Sequence, residues 1–309
     1  MYELKKEPFG PFTRYTLLHE QSGNRFSIVP ERGANVLEIV FSEVNILDGY
    51  TTPEELRSAK WGKSVLLFPF PNRLNGGRYR WQNKDYVFPI NNAATGNAIH
   101  GFVRDEAFEV DYIFLAKDHA SILCSYDYDG RHPYYPFSFR LEVEFLIRDD
   151  GSFTLETACR NLHDAPIPLG FGWHPYFRLA KHADLHAMQL PACKMVLIDE
   201  RMIPTGERTQ YNAFSKKNPV AGTALDNCFA TEKPGGQYRM TLEADGRRIA
   251  VKASATRFPY FQVFTPPHRE SIALEPMSCN VDAFNNGDGL IALDPGKEWK
   301  AQIAIEARM

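Results

Sequence analysis

The sequence predicts an all-β protein, a large antiparallel β-sandwich with few short helices. Apolar and polar residues alternate in most segments that show a pattern, and this is the period of a half-buried strand. Turns rich in Gly, Pro and Asn separate these segments, whereas amphipathic helical repeats are scarce. Many short strands with little helix favour a sandwich over a doubly wound parallel sheet.

The clearest strands form a predicted hairpin. From Phe139 to Ile147 the odd positions are all apolar, and Arg140, Glu142 and Glu144 share the other face. The segment from Phe153 to Arg160 repeats this scheme. The turn Asp149-Asp150-Gly151-Ser152 joins the two, so we expect adjacent antiparallel strands.

Shorter stretches of the same kind predict the remaining strands, at 14–18, 25–29, 109–115, 121–126, 240–244, 247–254, 261–265, 271–274 and 301–307. One helix start stands out. Thr52-Pro53-Glu54-Glu55 combines a capping box with proline at the first helical position. The helical pattern fades by Ala59, which predicts a short, peripheral helix.

The 309 residues fit two ordinary domains or one large all-β domain. No long linker or change of composition divides the chain, so we expect one domain over residues 1–309 with one cleft. Net charge is −3, and no block of like charges indicates a nucleic-acid partner. The sequence leaves a monomer and a homodimer open.

Neither a membrane span nor an export signal is predicted, because no uninterrupted apolar run approaches about 18 residues. The five cysteines are far apart and form no Cys-x-x-Cys unit. We therefore expect reduced thiols, rather than disulfides or a zinc site, and a cytoplasmic protein.

Three polar residues lie in apolar or aromatic surroundings: His100, His174 and Glu275. Partial burial shifts such groups toward the pKa values that proton exchange needs. The proline after His174 favours an extended backbone, and the proline after Glu275 places that carboxylate at a sheet edge or mouth. Considered singly, His174 fits a core or surface histidine better than a catalytic one, and Glu275 fits a structural ion pair equally well.

Arg73 lies in a loop rich in proline and glycine, Phe68 to Tyr79. Its planar guanidinium could bind hydroxyls or a carboxylate. Stabilisation of the loop through backbone carbonyls is an equally good interpretation of this segment.

Five motifs in a fixed order make the sequence resemble the aldose 1-epimerase (galactose mutarotase-like) superfamily. They are Phe68-Pro69 with Asn72-Arg73-Leu74, then Ile99-His100-Gly101-Phe102, Trp173-His174-Pro175-Tyr176-Phe177, Leu225-Asp226-Asn227-Cys228-Phe229 and Leu274-Glu275-Pro276-Met277. The resemblance implies a single-domain β-supersandwich with a shallow sugar cleft and no organic cofactor or metal.

The resemblance also assigns roles to residues. The general acid of the family corresponds to His174, which would begin as imidazolium, and its general base to Glu275. The residues that would bind the sugar correspond to His100, Arg73 and Asp226. Gln262 and Trp173, which lie near the base and the acid, are expected in the cleft wall.

The implied activity is interconversion of the α and β anomers of a free aldose. The base would remove the proton of the C1 hydroxyl while the acid protonates the ring oxygen. Galactose itself does not follow, because Trp173 stands where galactose mutarotases have asparagine. His100-Gly101-Phe102 followed by Arg104 is also similar to the hexose-6-phosphate 1-epimerase branch, with Arg104 and Arg78 as candidate phosphate contacts.

Two other classes remain as alternatives. A non-catalytic carbohydrate-binding protein would keep the cleft without turnover. A metal-dependent hydrolase could use His182, Asp184 and His186, although solvated surface is the better interpretation of that polar stretch.

Overall fold

The computed structural model describes residues 1–232 and 235–309, and its regular secondary structure is mainly antiparallel strands. The strands up to residue 161 are β1 (Tyr2–Phe9), β2 (Phe12–His19), β3 (Arg25–Val29), β4 (Asn35–Phe41), β5 (Val44–Asn45), β6 (Leu66–Leu67), β7 (Arg73–Leu74), β8 (Arg78–Trp81), β9 (Lys84–Val87), β10 (Ala98–Ile99), β11 (Glu109–Leu115), β12 (His119–Tyr128), β13 (Phe139–Arg148) and β14 (Ser152–Asn161).

The strands after residue 161 are β15 (Ile167–Leu169), β16 (Gly172–Trp173), β17 (Tyr176–Phe177), β18 (Ala187–Gln189), β19 (Cys193–Ile198), β20 (Pro204–Tyr211), β21 (Asn218–Pro219), β22 (Asp226–Thr231), β23 (Gln237–Ala244), β24 (Arg247–Ser254), β25 (Tyr260–Phe264), β26 (Ile272–Met277), β27 (Ile291–Leu293) and β28 (Glu298–Arg308). The described helices are α1 (Pro53–Ser58) and α2 (Ala283–Asn286), and four short 3-10 turns lie at Lys60–Gly62, Asn75–Gly77, Val103–Asp105 and Ala183–Leu185.

Two large sheets form the body of the protein. One has nine strands in the order β11-β12-β13-β14-β28-β24-β23-β18-β21, and the other has eight, with β20-β19-β22-β25-β26-β16-β6 in line and β17 also paired to β26. Aromatic contacts join the sheets, such as Phe153 on β14 with Trp173 on β16, whose ring centroids are 6.1 Å apart. A five-stranded sheet, β1 to β5, packs Phe26 against the same Phe153. The predicted antiparallel sandwich is confirmed.

The predicted hairpin is present as β13 and β14. Its strands pair in register, with Phe145 opposite Leu155. The five apolar residues at odd positions of β13 are fully buried, whereas Arg140, Glu142 and Glu144 are only partly so. Each fully buried large apolar side chain contributes about 1.5–3 kcal/mol, so the alternation fixes which face of the strand points inward. Of the other predicted strands, only those at 261–265 and 271–274 extend one residue beyond the observed bounds.

Helix α1 begins where the sequence predicts. The side chain of Thr52 caps it, because the hydroxyl accepts a hydrogen bond of 3.2 Å from the amide of Glu55. Leu56 is its one buried residue, so the helix is peripheral as expected. It ends at Ala59, which adopts a left-handed conformation and leads into the 3-10 turn at Lys60–Gly62.

The largest cluster of buried apolar residues extends from Tyr2 to Ile305 and therefore draws on nearly the whole chain. All five cysteines are buried free thiols, as the sequence predicts. Among residues 1–232 and 235–309, no helix is long and apolar enough to cross a membrane.

The stretch from His182 to His186 is the predicted solvated surface only in part, since Leu185 is exposed and His182 and Asp184 are partly so. His186 is buried, and its Nε2 accepts a hydrogen bond of 3.1 Å from the amide of Leu179. Asp184 accepts a hydrogen bond of 3.0 Å from Nε of Arg269. The ring nitrogen of His186 and the carboxylate of Asp184, which a metal would need as ligands, are thus already hydrogen-bonded to a backbone amide and to Arg269. Within the described part of the chain, no cluster of three or more His, Cys, Asp or Glu side chains is arranged to hold a metal ion.

Candidate active site

Three neighbouring strands of the eight-stranded sheet place polar side chains on one face. Gln262 on β25 lies opposite Glu275 on β26, and Phe264, two residues further along β25, lies opposite Asp226 on β22. Because side chains alternate along a strand, Gln262 and Phe264 point to the same side of the sheet. The registers therefore bring Glu275, Gln262, Phe264 and Asp226 together.

His174 faces Glu275 from a break between two short strands. β16 and β17 both pair with β26, and His174 lies in the gap between them. Its backbone is fixed on the other side, since its amide donates to the carbonyl of Val65 at 3.1 Å and its carbonyl accepts from the amide of Ser64 at 2.8 Å. This places His174 Nε2 3.3 Å from Glu275 Oε1.

His100 approaches His174 from a different pair of strands. β10 pairs with β7 so that Ile99 is opposite Arg73, and the amide of His100 donates to the carbonyl of Asn72 at 2.9 Å. The backbone of His100 is left-handed, with φ of 68°. The two imidazole rings meet edge to face, with centroids 5.4 Å apart and planes at 84°.

A chain of polar contacts connects Arg73 to Asp226. Nη1 of Arg73 donates to Oδ1 of Asn72 at 3.0 Å. The side-chain Nδ2 of Asn72 donates to Oε1 of Gln262 at 3.2 Å. Gln262 in turn donates to Asp226 at 2.7 Å, and Nη2 of Arg73 lies 3.8 Å from the same carboxylate. Gln262 is thereby fixed as both acceptor and donor, and the side chains of Arg73 and Asp226 are held in place.

These side chains line one cavity of about 380 Å³. Six residues that the sequence singled out lie there: Arg73, His100, His174, Asp226, Gln262 and Glu275. A cavity of this volume suits one small polar molecule.

Burial dominates the electrostatics of the acid–base pair. Desolvation raises the pKa of Glu275 well above its usual value, and the nearby carboxylate of Asp226 adds to this, whereas Arg73 opposes it. Desolvation also lowers the pKa of His174 to about 3, and the charge of Arg104 acts in the same direction. These shifts place a proton on Glu275 rather than on His174, so the structure does not favour the imidazolium start expected from the resemblance.

The remaining polar groups of the cleft are shifted by burial too. Desolvation, followed by the charges of His174 and two arginines, lowers the pKa of His100 well below its usual value. Desolvation raises the pKa of Asp226, although Arg73 and Gln262 lower it. Several buried atoms have no hydrogen-bond partner among the described residues: Nδ1 of His100, Nδ1 of His174 and both carboxyl oxygens of Glu275. Buried polar atoms are usually paired in folded proteins, so these atoms are exceptions that the role of the site has to explain.

The model of the aldose 1-epimerase family matches residues 15–306, nearly the whole chain. The protein belongs to the aldose 1-epimerase family. Among its relatives are two uncharacterised proteins of Escherichia coli. YihR is 28% identical, with 89% of this chain and 88% of YihR covered. YphB is 25% identical, with 77% of this chain and 81% of YphB covered.

Solved structures share the fold of this aldose 1-epimerase family member. A galactose mutarotase-like protein from Clostridium acetobutylicum superposes with a TM-score of 0.88 at 20% identity, covering 99% of this chain and 98% of the other. Galactose 1-epimerase from Lactobacillus acidophilus gives a TM-score of 0.84 at 15% identity, covering 100% and 98%.

Of the seven residues proposed for acid–base chemistry and sugar binding, Trp173 is the one that does not line the cleft. It is fully buried, packs on Phe153, and its indole donates to the carbonyl of Ser64 at 3.1 Å. The expectation that it lines the cleft wall is wrong, because neighbours on an extended segment project to opposite sides and His174 takes the cleft side.

The two candidate phosphate contacts of this epimerase-family protein differ in position. Arg104 lines the cavity, whereas Arg78 is exposed on β8 and does not. Nε of Arg104 lies 3.5 Å from Asp105, a carboxylate that Arg32 also contacts at 2.6 Å. The positive charge of Arg104 is thus only partly balanced.

The lining residues that were not predicted as site residues include Trp61, Asn72, Tyr176 and Phe264. Asn72 and Tyr176 lie within the motifs that carry the resemblance, and this position in a motif is a sequence signal for both. Trp61 and Phe264 carry no sequence signal that separates them from core aromatics.

Proposed function

We propose that the protein is an aldose 1-epimerase that interconverts the α and β anomers of a free aldose. The observation that carries this proposal is the separation of 3.3 Å between His174 Nε2 and Glu275 Oε1 in a polar cleft of about 380 Å³. An imidazole and a carboxyl group held together can exchange protons with two oxygens of one small molecule. Anomer exchange needs such a pair, because one oxygen must lose a proton while another gains one.

In the proposed cycle, Glu275 takes the proton of the C1 hydroxyl and His174 donates a proton to the ring oxygen. The bond between C1 and the ring oxygen breaks, and C1 becomes an aldehyde. Rotation about the C1–C2 bond presents the other face of the carbonyl. The ring oxygen then attacks C1, His174 recovers its proton and Glu275 returns the other. No electron is gained or lost overall.

The cycle runs through the charged form of the pair, which is not its resting form. The pKa directions of both residues favour neutral His174 and protonated Glu275, so the proton of Glu275 first passes to His174 when the sugar binds. Ring opening then returns both groups to the neutral state, because His174 gives its proton to the ring oxygen and Glu275 takes the proton of the C1 hydroxyl.

The neighbouring polar side chains are proposed to hold the hydroxyl groups of the sugar. Neutral His100 and cationic Arg73 would donate hydrogen bonds, and Asp226 would accept one. The contacts of Asn72 and Gln262 keep these groups in fixed orientations.

Polarimetry of freshly dissolved α-glucose and α-galactose tests the proposal. The protein should speed equilibration, and Glu275→Gln should reduce the catalysed rate by about 100-fold or more, because a loss of acid–base catalysis costs that much. Glu270→Gln is the matched control, since Glu270 is an exposed residue just before the same strand. It should leave the rate unchanged.

Two results would contradict the proposal. Unchanged equilibration with every common aldose would exclude the activity. Sugar binding without any acceleration would instead indicate a non-catalytic carbohydrate-binding protein.

A hexose 6-phosphate is the second candidate substrate, and the partly balanced charge of Arg104 in the cavity favours it. A phosphate would add acceptors for this guanidinium, whose ion pair in the described residues is the 3.5 Å contact of Nε with Asp105. NMR exchange spectroscopy of glucose and glucose 6-phosphate in one sample compares the two. If the phosphate is preferred, Arg104→Gln should remove the preference, whereas equal loss for both sugars would speak against a phosphate contact.

A further inference from the structure

We propose that Trp61 is a specificity-determining residue whose indole packs on the C–H face of the sugar, and that Tyr176 is the positioning residue that ties this platform to His174. The proposal rests on the proposed function of the cleft. Trp61 and Phe264 both line the cavity, with ring centroids 6.2 Å apart and planes tilted by 39°. Flat apolar rings beside hydroxyl-binding groups match a pyranose, which has apolar and polar faces.

The indole of Trp61 remains available on the cavity side. Nζ of Lys60 lies 5.6 Å from the ring centroid, but Lys60 is exposed and is not among the residues that line the cavity. His268 also meets the ring edge to face, with centroids 5.5 Å apart, and it does not line the cavity either. Trp61 itself is only partly buried, unlike Trp173.

The segment that carries Trp61 has an unusual backbone. Ala59, Trp61 and Ser64 are non-glycine residues with positive φ, at 48°, 66° and 57°. Each such residue costs of the order of 1 kcal/mol and persists only where surrounding contacts hold it.

Three buried aromatic side chains supply those contacts by donating hydrogen bonds to carbonyls of the segment. Tyr50 donates to Lys60 at 3.0 Å, Tyr176 to Trp61 at 2.7 Å, and Trp173 to Ser64 at 3.1 Å. The loop is therefore preformed, and the indole keeps its place without a ligand to order it.

Tyr176 connects this loop with the acid–base pair. Its ring stacks on the imidazole of His174, with centroids 4.8 Å apart and planes at 11°. Its hydroxyl holds the carbonyl of Trp61. Burial, together with the charge of Glu275, raises the pKa of Tyr176 well above its usual value, so the hydroxyl stays a donor. One side chain thereby sets the distance between the sugar-binding ring and the proton-exchanging ring.

Two kinds of measurement test the proposal on the full-length protein. Trp61→Ala should raise KM for the best aldose about 10-fold, which corresponds to about 1.4 kcal/mol, and should leave kcat within about twofold. The KM of Trp61→Phe should lie between those of Trp61→Ala and the wild type. Tyr176→Phe keeps the stacked ring and removes the hydroxyl, so it should raise KM with little change in kcat. A purely structural role would lower the melting temperature of these variants without moving KM.

Tryptophan fluorescence provides a readout that does not depend on turnover. Of the four tryptophans, Trp173 and Trp299 are buried and Trp81 does not line the cavity, so Trp61 should report on the cleft. Titration with the same sugar should change the emission of the wild type and not that of Trp61→Phe.

The outcomes separate this proposal from the proposed function. Binding with a fluorescence change but without turnover would support the platform and reject the epimerase activity. Turnover with an unchanged KM in Trp61→Ala, or a fluorescence change that survives in Trp61→Phe, would overturn the platform alone. No binding of any sugar would overturn both.

Discussion

Replacement of His174 by asparagine should make the fold less sensitive to acid. His174 is buried, and its pKa falls from 6.5 to about 3 in the folded chain. On acidification the unfolded chain binds a proton at this histidine first, so stability that is present above pH 6.5 is lost as the pH falls toward 3. At about 1.4 kcal/mol per pKa unit, the full effect is about 5 kcal/mol, and about 3 kcal/mol of it is lost by about pH 4.5.

Urea unfolding, followed by circular dichroism at about pH 7 and about pH 4.5, measures this effect. The free energy of unfolding of the wild type should fall by about 3 kcal/mol more than that of His174→Asn over this interval. The measured quantity is how the difference in free energy of unfolding between the two proteins changes with pH. A loss of stability that the substitution causes equally at both pH values therefore cancels. If the difference between the two proteins is the same at both pH values, the lowered pKa is refuted. NMR titration of the His174 ring gives an independent check.

Three further substitutions probe the fold and the site. Gly101→Ala should cost roughly 3 kcal/mol or abolish folding, because a Cβ there would lie 1.9 Å from the carbonyl oxygen of Phe68 at a φ of +63°; a soluble variant with an unchanged melting temperature would contradict this. Gln262→Leu should lower the free energy of unfolding by about 2 kcal/mol and raise KM, because it leaves Asp226 without its 2.7 Å donor; urea unfolding and polarimetry measure both. Thr52→Ala should cost about 1 kcal/mol in thermal unfolding through loss of the helix cap, and unaltered stability would show that the cap is dispensable.

Alternation in the sequence was sufficient to predict most strands because burial on one face leaves a direct mark on residue type. β13 and β14 illustrate this, since each apolar position of the pattern is buried. The start of α1 was equally visible, because capping depends on local residue types such as Thr52 and Pro53. The order of strands in a sheet has no comparable local signal in the sequence. Nothing local in β28 indicates that it pairs with both β14 and β24.

The candidate site was predictable where short motifs carried it and not elsewhere. Ordered motifs pointed to His174 and Glu275, which the fold brings to 3.3 Å despite their separation in sequence. The position of Trp173 could not be inferred from its closeness to His174 in sequence, because adjacent residues of an extended segment point to opposite sides. Trp61 was missed because its exposure to the cavity depends on left-handed backbone at several residues, which no periodicity records.

Glu275 and Trp61 belong to parts of the structure that tolerate substitution to different degrees. Glu275 lies on β26, which has hydrogen-bonded neighbours on both sides within the eight-stranded sheet. Trp61 lies on a turn outside that sheet. A substitution on β26 disturbs pairing across the sheet, whereas an exchange of residues 59–64 changes mainly what the cleft accepts. Under the proposed function, a change of sugar preference would then require substitutions in this loop alone, and Glu275 and its strand pairing would stay unchanged.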